Sequence, residues 1–188
     1  NFYNERRKQL LDVVPNAGHL GVADLERDFN VTVVTQNVDN LHERAGSTHV
    51  IHLHGELTKV CSSRDPYNPH FVKELAPEEY EVKLGDKAGD GTQLRPFIVW
   101  FGESVPEIET AIRYVEQADI FVIIGTSLNV YPAAGLLNYV PRAAEVYLID
   151  PKPVDTHVMR PIHVIQKGAS EGVKELKALL AATQPPLP

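Results

Sequence analysis

A dense run of polar side chains, Gln36 to Asn40, directly follows the β-branched segment 31–35. Such a segment is typical of a short buried strand. Amide and carboxylate side chains at the end of the strand could hydrogen-bond a carboxamide and ribose hydroxyls. The alternative is a turn and a helix, with Asp39 or Asn40 as the N-cap. From these residues alone, both interpretations stay open.

A second group of residues with chemical potential is His52-Leu53-His54-Gly55. On a strand, the two imidazoles would lie on one face and could bind a metal, but no third ligand is evident nearby. His54, next to Gly55, is the better candidate for a general base, because imidazole titrates near neutral pH. The alternative for a lone histidine is a structural role.

Polar residues also follow two later hydrophobic runs. Gly125-Thr126-Ser127 follows the run 120–124, and Asp150 follows the run 146–149. Glycine would let a phosphate or ribose approach the backbone, while the hydroxyls donate. An acid at a strand end commonly holds ribose hydroxyls. Each feature is also ordinary turn chemistry, so neither is specific alone.

Strand-like runs alternate with helical patterns along the chain, which predicts a doubly wound α/β fold. The predicted strands are 31–35, 50–53, 97–101, 120–124, 146–149 and 162–165. The predicted helices are 2–14, 17–29, 108–117, 132–139 and 171–182. Ligands of such folds bind beyond the carboxyl ends of the strands, where the polar groups stand. The sequence therefore favours a nucleotide site at that edge.

Composition and charge limit the class of partner. The chain has 188 residues, 43% hydrophobic and 23% charged, with a formal net charge of −7. An acidic balance argues against non-specific binding to nucleic acid or anionic membranes. No apolar run approaches the roughly 20 residues that span a bilayer. The one cysteine, Cys61, excludes an intrachain disulfide and agrees with a cytoplasmic location, which we expect.

Four motifs, in matching order and spacing, resemble the sirtuin family over nearly the whole chain. They are the second signature at 35–46, the catalytic-histidine motif at 54–57, the substrate strand and loop at 97–103, and the third nucleotide motif at 125–135. The resemblance implies a Rossmann-like doubly wound parallel sheet with a small inserted lobe. We expect residues 1–57 and 95–188 to form an NAD-binding domain. The segment 58–94, rich in proline, glycine and charge, would be the lobe.

The resemblance assigns the catalytic side chains and the nicotinamide pocket. Gln36, Asn37 and Asp39 would line the pocket of nicotinamide and its ribose. Asp39 would read the carboxamide, and Asn37 would order the ribose and a water. His54 would be the general base, accepting a proton from the ribose after the acyl oxygen attacks the anomeric carbon.

The remaining roles implied by the resemblance concern the rest of NAD and the substrate. Ribose and phosphate would contact Gly125, Thr126 and Ser127, while Asp150 would hold the adenine ribose and Ala169 would border the adenine. The substrate peptide would pair with Val99, Phe101, Gly102 and Glu103, largely through backbone hydrogen bonds. Phe101 would also line the acyl-lysine tunnel.

The start of the first helix resembles the Tyr-x-x-Arg motif of class III sirtuins, in which Tyr3 is the first residue and Arg6 the last. On a helix these residues share a face. Arg6 could pair bidentately with the carboxylate of a succinyl or malonyl group. The alternative is a solvated basic face, because Arg7 and Lys8 follow.

Two departures from the family matter. Most sirtuins carry two Cys-x-x-Cys pairs that hold a structural zinc, whereas here Cys61 stands alone. A single thiolate cannot build that site, so we expect no zinc. The family's first motif, a Gly-Ala-Gly-Ile-Ser stretch, is absent from these residues, and its loss would impair NAD binding.

The favoured hypothesis is an NAD-dependent deacylase acting on acylated-lysine proteins or peptides, with deacetylase and desuccinylase or demalonylase activity. It would transfer the acyl group to ADP-ribose and release nicotinamide. Two alternatives stay open: a non-catalytic module that binds NAD or ADP-ribose, and a protein ADP-ribosyltransferase. The sequence does not decide the oligomeric state.

Overall fold

Helices and strands alternate along the chain in the computed structural model, which describes residues 2–100, 102–126, 133–153 and 160–183. The helices are α1 (Phe2–Leu10), α2 (Ala17–Asp24), α3 (Leu41–Ala45), α4 (Ile108–Val115), α5 (Ala133–Leu137) and α6 (Ala169–Thr183). The strands are β1 (Val33–Thr35), β2 (Val50–His52), β3 (Gly55–Ser62), β4 (Lys73–Glu74), β5 (Leu94–Ile98), β6 (Ile120–Ile124), β7 (Glu145–Ile149) and β8 (His163–Ile165). None of the helices described is both long and apolar enough to cross a bilayer.

Two parallel sheets carry the strand ends that the sequence singled out. β1 pairs with β2, and Thr35 lies opposite His52. β7 lies between β6 and β8, and Ile124 lies opposite Ile149. Helix α3 lies between β1 and β2, and α5 lies between β6 and β7, as expected of parallel pairs, which require a crossover connection. The predicted α/β class is confirmed.

The core of the β6–β8 sheet lies on both of its faces. Val146 and Leu148 belong to one cluster, which also contains residues of α4 and α5. Tyr147 and Ile149 belong to the other, which contains residues of α6. Successive side chains of a strand point to opposite faces, so this division follows from the period of two. Cover on both faces explains why the strands are almost continuously apolar.

A third sheet, antiparallel, has the order β4-β3-β5. The sequence analysis missed β3, which continues for eight residues beyond the turn at His54. The strand predicted at 97–101 is wrong in its bounds, since β5 begins at Leu94 and ends at Ile98. A turn follows it, closed by a 2.9 Å hydrogen bond from Glu103 N to Trp100 O. The pairing of β5 with β3 joins residues on both sides of the lobe boundary that was predicted at residue 95.

Candidate active site

A pocket of about 340 Å³ lies between α1 and the loop that follows β1. Four of the predicted site residues line it, namely Arg6 from the helix and Gln36, Asn37 and Asp39 from the loop. Leu57 of β3 is also part of its wall. The fold therefore brings Arg6 of α1 to the same pocket as three polar residues that are distant from it in the sequence.

The loop after β1 is held by short-range hydrogen bonds. Thr35 Oγ1 accepts from Asn37 N at 3.0 Å, and Asp39 Oδ1 accepts from Leu41 N at 3.0 Å. Leu57 N of β3 donates to Val38 O at 2.7 Å. The structural alternative for Asp39 is thus present: its carboxylate supports the turn into α3 as well as lining the pocket. These bonds fix the backbone from which the pocket side chains project.

His54 lies in the turn between β2 and β3. Because β2 ends at His52, the alternation that would put both imidazoles on one face does not reach His54. Gly55 has a φ of +94°, and a Cβ there would meet Phe97 O at 2.1 Å, so only glycine fits. His54 is half-buried, and its carbonyl accepts from Val99 N at 2.9 Å. That bond joins the predicted general base to the predicted substrate segment.

The turn after β5 carries the predicted substrate residues that the structure describes. Gly102 has a φ of +86°, with open space around its Cα. The Glu103 carboxylate accepts from Trp100 N at 2.6 Å and from Arg95 Nη2 at 3.0 Å. Although burial works against the charged form, these bonds hold the pKa of Glu103 below its usual range. Phe101 lies outside the described residues.

Arg95, which the sequence analysis did not single out, supports this turn. The residue is buried, donates to Ile98 O at 2.9 Å, and has its Cζ 3.9 Å from the centroid of the Trp100 ring. The Glu103 side chain is therefore engaged in holding the turn.

The predicted adenine side lies at the ends of β6 and β7. Gly125 N donates to Ile149 O at 3.0 Å, so Gly125 and Asp150 follow directly on paired residues. Gly125 has a φ of +67°, and apart from its chain neighbours no described residue has an atom within 4 Å of an added Cβ. Asp150 Oδ1 accepts from Lys152 N at 2.8 Å, which is the turn expected of Asp-Pro. Thr126 follows Gly125, Ala169 begins α6, and Ser127 lies outside the described residues.

Helix α1 presents its two predicted acyl-specificity residues differently. Arg6 lines the pocket and is exposed, with its guanidinium 5.7 Å from the centroid of the Phe2 ring. Tyr3 packs edge-on against Phe2, with 5.1 Å between ring centroids. Arg7 is buried and donates to Tyr80 O at 2.7 Å, so the alternative of a wholly solvated basic face fails at this position.

A cluster behind the pocket was also missed. His52 is buried, with its Nε2 2.7 Å from Glu43 Oε2 and 3.8 Å from Glu56 Oε1. The nearby acids that the sequence did not reveal therefore come from α3 and β3. Burial lowers the pKa of His52, but the hydrogen bond and charge of Glu43, with Glu56, outweigh burial and raise it. The same contact keeps the pKa of Glu43 low despite desolvation.

Parallel strands with polar clusters at their carboxyl ends, and a pocket beside one of them, define a Rossmann-like α/β protein. Comparison with known proteins narrows the class. The Sir2 family model matches residues 1–132. An NAD-dependent protein deacylase of Bacteroides thetaiotaomicron is 83% identical over 180 residues, which are 96% of this chain and 77% of that protein.

Solved structures agree with this match. A Sir2 homologue in complex with NAD has 37% identity and a TM-score of 0.77, over 97% of this chain and 71% of that one. A Sir2 complex with a p53 peptide and NAD has 26% identity and a TM-score of 0.73, over 93% and 74% of the two chains. The chain belongs to the Sir2 family, and the resemblance to sirtuins is confirmed.

Proposed function

We propose that this protein is an NAD-dependent protein-lysine deacylase that transfers the acyl group to ADP-ribose and releases nicotinamide. The observation that carries the proposal is the pocket, in which Gln36, Asn37 and Asp39 meet Arg6 of α1. The names of the bacterial relatives support the reaction class. The p53 peptide in a related complex supports acylated-lysine proteins as substrates.

The residues fit NAD on two independent observations. The loop after β1 offers amide and carboxylate side chains to a carboxamide and to hydroxyls. At the end of β6, Gly125 has no side chain and is not crowded by the described residues beyond its chain neighbours, which favours close approach of a ligand to the backbone. We infer that Gln36, Asn37 and Asp39 hold the nicotinamide half, and that Gly125, Thr126, Ser127, Asp150 and Ala169 hold the adenosine half. When bound, NAD supplies the electrophilic anomeric carbon that takes up the acyl oxygen.

The chain's own groups then perform positioning and proton transfer. His54 accepts a ribose hydroxyl proton on its ring, and its carbonyl holds Val99 of the substrate segment at 2.9 Å. The hydrogen bond from Val99 therefore links the general base to the segment proposed to bind the peptide. The buried Arg95, through Glu103 and Trp100, keeps the turn that presents Gly102 to the substrate.

The test is nicotinamide release from NAD in the presence and absence of an acyl-lysine peptide. We expect release that depends on the acylated peptide and that is lost in His54→Ala, because no base then accepts the proton. His49→Ala, a half-buried histidine outside the pocket, serves as the matched control and retains release. Full turnover in His54→Ala would remove the base from its role, and label transferred from NAD to protein would indicate a transferase.

We infer further that Arg6 selects acyl groups that end in a carboxylate. It is the cation of α1 that lines the pocket with Asn37, while Arg7 is buried and bonded to Tyr80. Arg6→Met should lower desuccinylation about tenfold to a hundredfold while sparing deacetylation, since a charged pair of this kind is worth a few kcal/mol. Lys8→Met, an exposed cation of the same helix, is the control. Equal losses on both substrates would contradict the inference.

We also infer that the segment 58–94 forms the small lobe and is held without zinc. Cys61 is buried, and its burial raises the pKa of the thiol to about 11, whereas zinc binds the thiolate. Next to it, the buried Ser62 hydroxyl donates to Asp90 and lies 3.0 Å from Thr92 Oγ1. Metal analysis of the purified protein should find less than a tenth of an equivalent of zinc, roughly the background of a protein with no site. A stoichiometric amount removable by a chelator would contradict it.

A further inference from the structure

The imidazole of His52 is buried behind the pocket and takes no part in the reaction proposed above. His52 is the last residue of β2 and lies opposite Thr35, the last residue of β1. Its side chain is 6% exposed, so its polar atoms depend on the protein for hydrogen bonds. His52 is therefore a buried titratable group beside the start of the loop that follows β1.

Both ring nitrogens of His52 face acceptors. Nδ1 lies 3.2 Å from the main-chain carbonyl of Asn37, and Nε2 lies 2.7 Å from the carboxylate of Glu43. A carbonyl can only accept, so Nδ1 carries a hydrogen, and an ionised carboxylate requires a second hydrogen on Nε2. The geometry therefore selects the imidazolium form, which donates in both directions.

The charged groups nearest to the His52 ring are carboxylates. Glu56 Oε1 lies 3.8 Å from Nε2 and its other oxygen accepts from Lys59 at 2.7 Å. Burial, followed by the charge of His19, lowers the pKa of His42 on α3, which disfavours a second positive charge beside the ring. The imidazolium of His52 has two carboxylates and a carbonyl as its partners.

These contacts hold the peptide groups of Asn37 on both sides. The Asn37 N–H donates to Thr35 Oγ1 at 3.0 Å, and the Asn37 carbonyl accepts from His52. Glu43 fixes the other side of the ring to α3, which follows the same loop. The loop is thus tied to the end of β2 and to α3 through one buried side chain.

We propose that His52, held by Glu43, is a positioning residue that fixes the Asn37 backbone and so orients the side chains that bind the nicotinamide half of NAD. The proposal rests on the proposed function for the identity of the ligand. Neither residue is part of the pocket wall, so both act through the loop.

The experiment compares His52→Gln and Glu43→Gln with the wild type in the full-length protein. Misplacement of a binding loop can cost as much as about a hundredfold in rate. We expect kcat/KM for NAD to fall about tenfold or more in each variant, with KM for the acyl peptide unchanged. His163→Gln is the matched control: it removes an imidazole that also lies 2.7 Å from a carboxylate, but on the exposed edge at β8, and it should behave as wild type.

The pH profile separates positioning from mere support of the fold. Because the partners raise the pKa of His52, the imidazolium persists below that pKa and is lost as the pH rises through it. Wild-type kcat/KM for NAD should therefore decline on an alkaline limb. Glu43→Gln, which is isosteric, should move that limb to lower pH, whereas a simple loss of stability would lower activity without moving it.

Several outcomes would overturn the proposal. One is an unchanged kcat/KM for NAD and an unchanged alkaline limb in folded Glu43→Gln. Another is loss of wild-type activity in a chelator with recovery on adding Zn²⁺ or Mn²⁺, because Glu43, His52 and Glu56 would then be metal ligands. If the wild type releases no nicotinamide, the proposed function fails, but calorimetry with NAD still decides the positioning role: weaker binding in both variants supports it and equal binding refutes it.

Discussion

Two histidine–carboxylate pairs in the described part of the chain have the same 2.7 Å separation in different surroundings. His52 and Glu43 lie behind the pocket, with side-chain exposures of 6% and 37%. His163 and Glu145 lie on adjacent strands at the edge of the β6–β8 sheet, with exposures of 53% and 61%. The first imidazole has a second acceptor, Asn37 O, while the second stacks on Tyr147.

The distance between the charged atoms does not by itself set how much an ion pair contributes to stability. Water screens the exposed pair and can replace each partner, so such pairs contribute about 0–1 kcal/mol. Removing His52 takes the donor away from Asn37 O and empties the buried space that the ring fills, and loss of a buried side chain is destabilising. Burial and the number of partners decide which histidine matters.

The largest expected difference is in stability. His52→Ala should lower the free energy of unfolding by about 1–3 kcal/mol, because Asn37 O loses its donor and the core loses a packed ring. His163→Ala should lower it by no more than about 0.5 kcal/mol. Urea denaturation measures both. Equal losses would show that burial does not distinguish the pairs.

The coupling within each pair should differ in the same direction. A double-mutant cycle on His52 and Glu43 should give a coupling of about 1–2 kcal/mol, as expected for contacting groups in a shared network. The cycle on His163 and Glu145 should give less than about 0.5 kcal/mol. A larger coupling in the exposed pair would reverse the comparison.

The buried pair should also make the stability of the protein depend on pH. The pKa of His52 is raised in the folded state, so its stabilisation is present below the usual histidine value and is lost as the pH rises through the raised value. The pKa of Glu43 is lowered, so its stabilisation is lost as the pH falls through the lowered value. The denaturation midpoint in urea should therefore decrease as the pH rises above the ordinary histidine value and through the raised one. Glu43→Gln should flatten that decline, and an unchanged curve would contradict the assignment.

The smallest expected effect is that of salt. Raising the salt concentration from about 0.05 to 1 M shortens the Debye length to about 3 Å and screens exposed charges. The small difference between wild type and His163→Gln should then disappear. The difference between wild type and His52→Gln should persist, because the His52 ring is buried and the charge of a buried group is screened much less. Thermal unfolding at the two salt concentrations measures both.

Local patterns in the sequence predicted the larger part of the fold. The apolar runs at 120–124 and 146–149 correspond to β6 and β7, since a strand covered on both faces must be continuously hydrophobic. The strand β3 was missed because its burial is irregular and because Pro and Gly dominate the segment around it. The strand at 97–101 was misplaced because the turn after Ile98 depends on Arg95 and Glu103, a contact that no periodicity expresses.

The residues of the candidate site were identified from the sequence, but their surroundings were not. Gln36, Asn37, Asp39 and His54 were identified from residue types at strand ends and from motifs that belong to the Sir2 family. Their roles remain predictions, and the structure contributes their surroundings: the pocket with Arg6 and the bond from Val99 to His54.

The sequence by itself determined the α/β class, the family and the candidates for catalysis, because hydrophobic period and contiguous motifs are local properties of a chain. Only the tertiary structure decided which polar groups meet. Glu43 on α3, His52 on β2 and Glu56 on β3 show no shared pattern, yet their ligand atoms lie within 4.8 Å of one another. Contacts between separate elements depend on how those elements pack, and packing places one imidazole between a carboxylate and the carbonyl of Asn37.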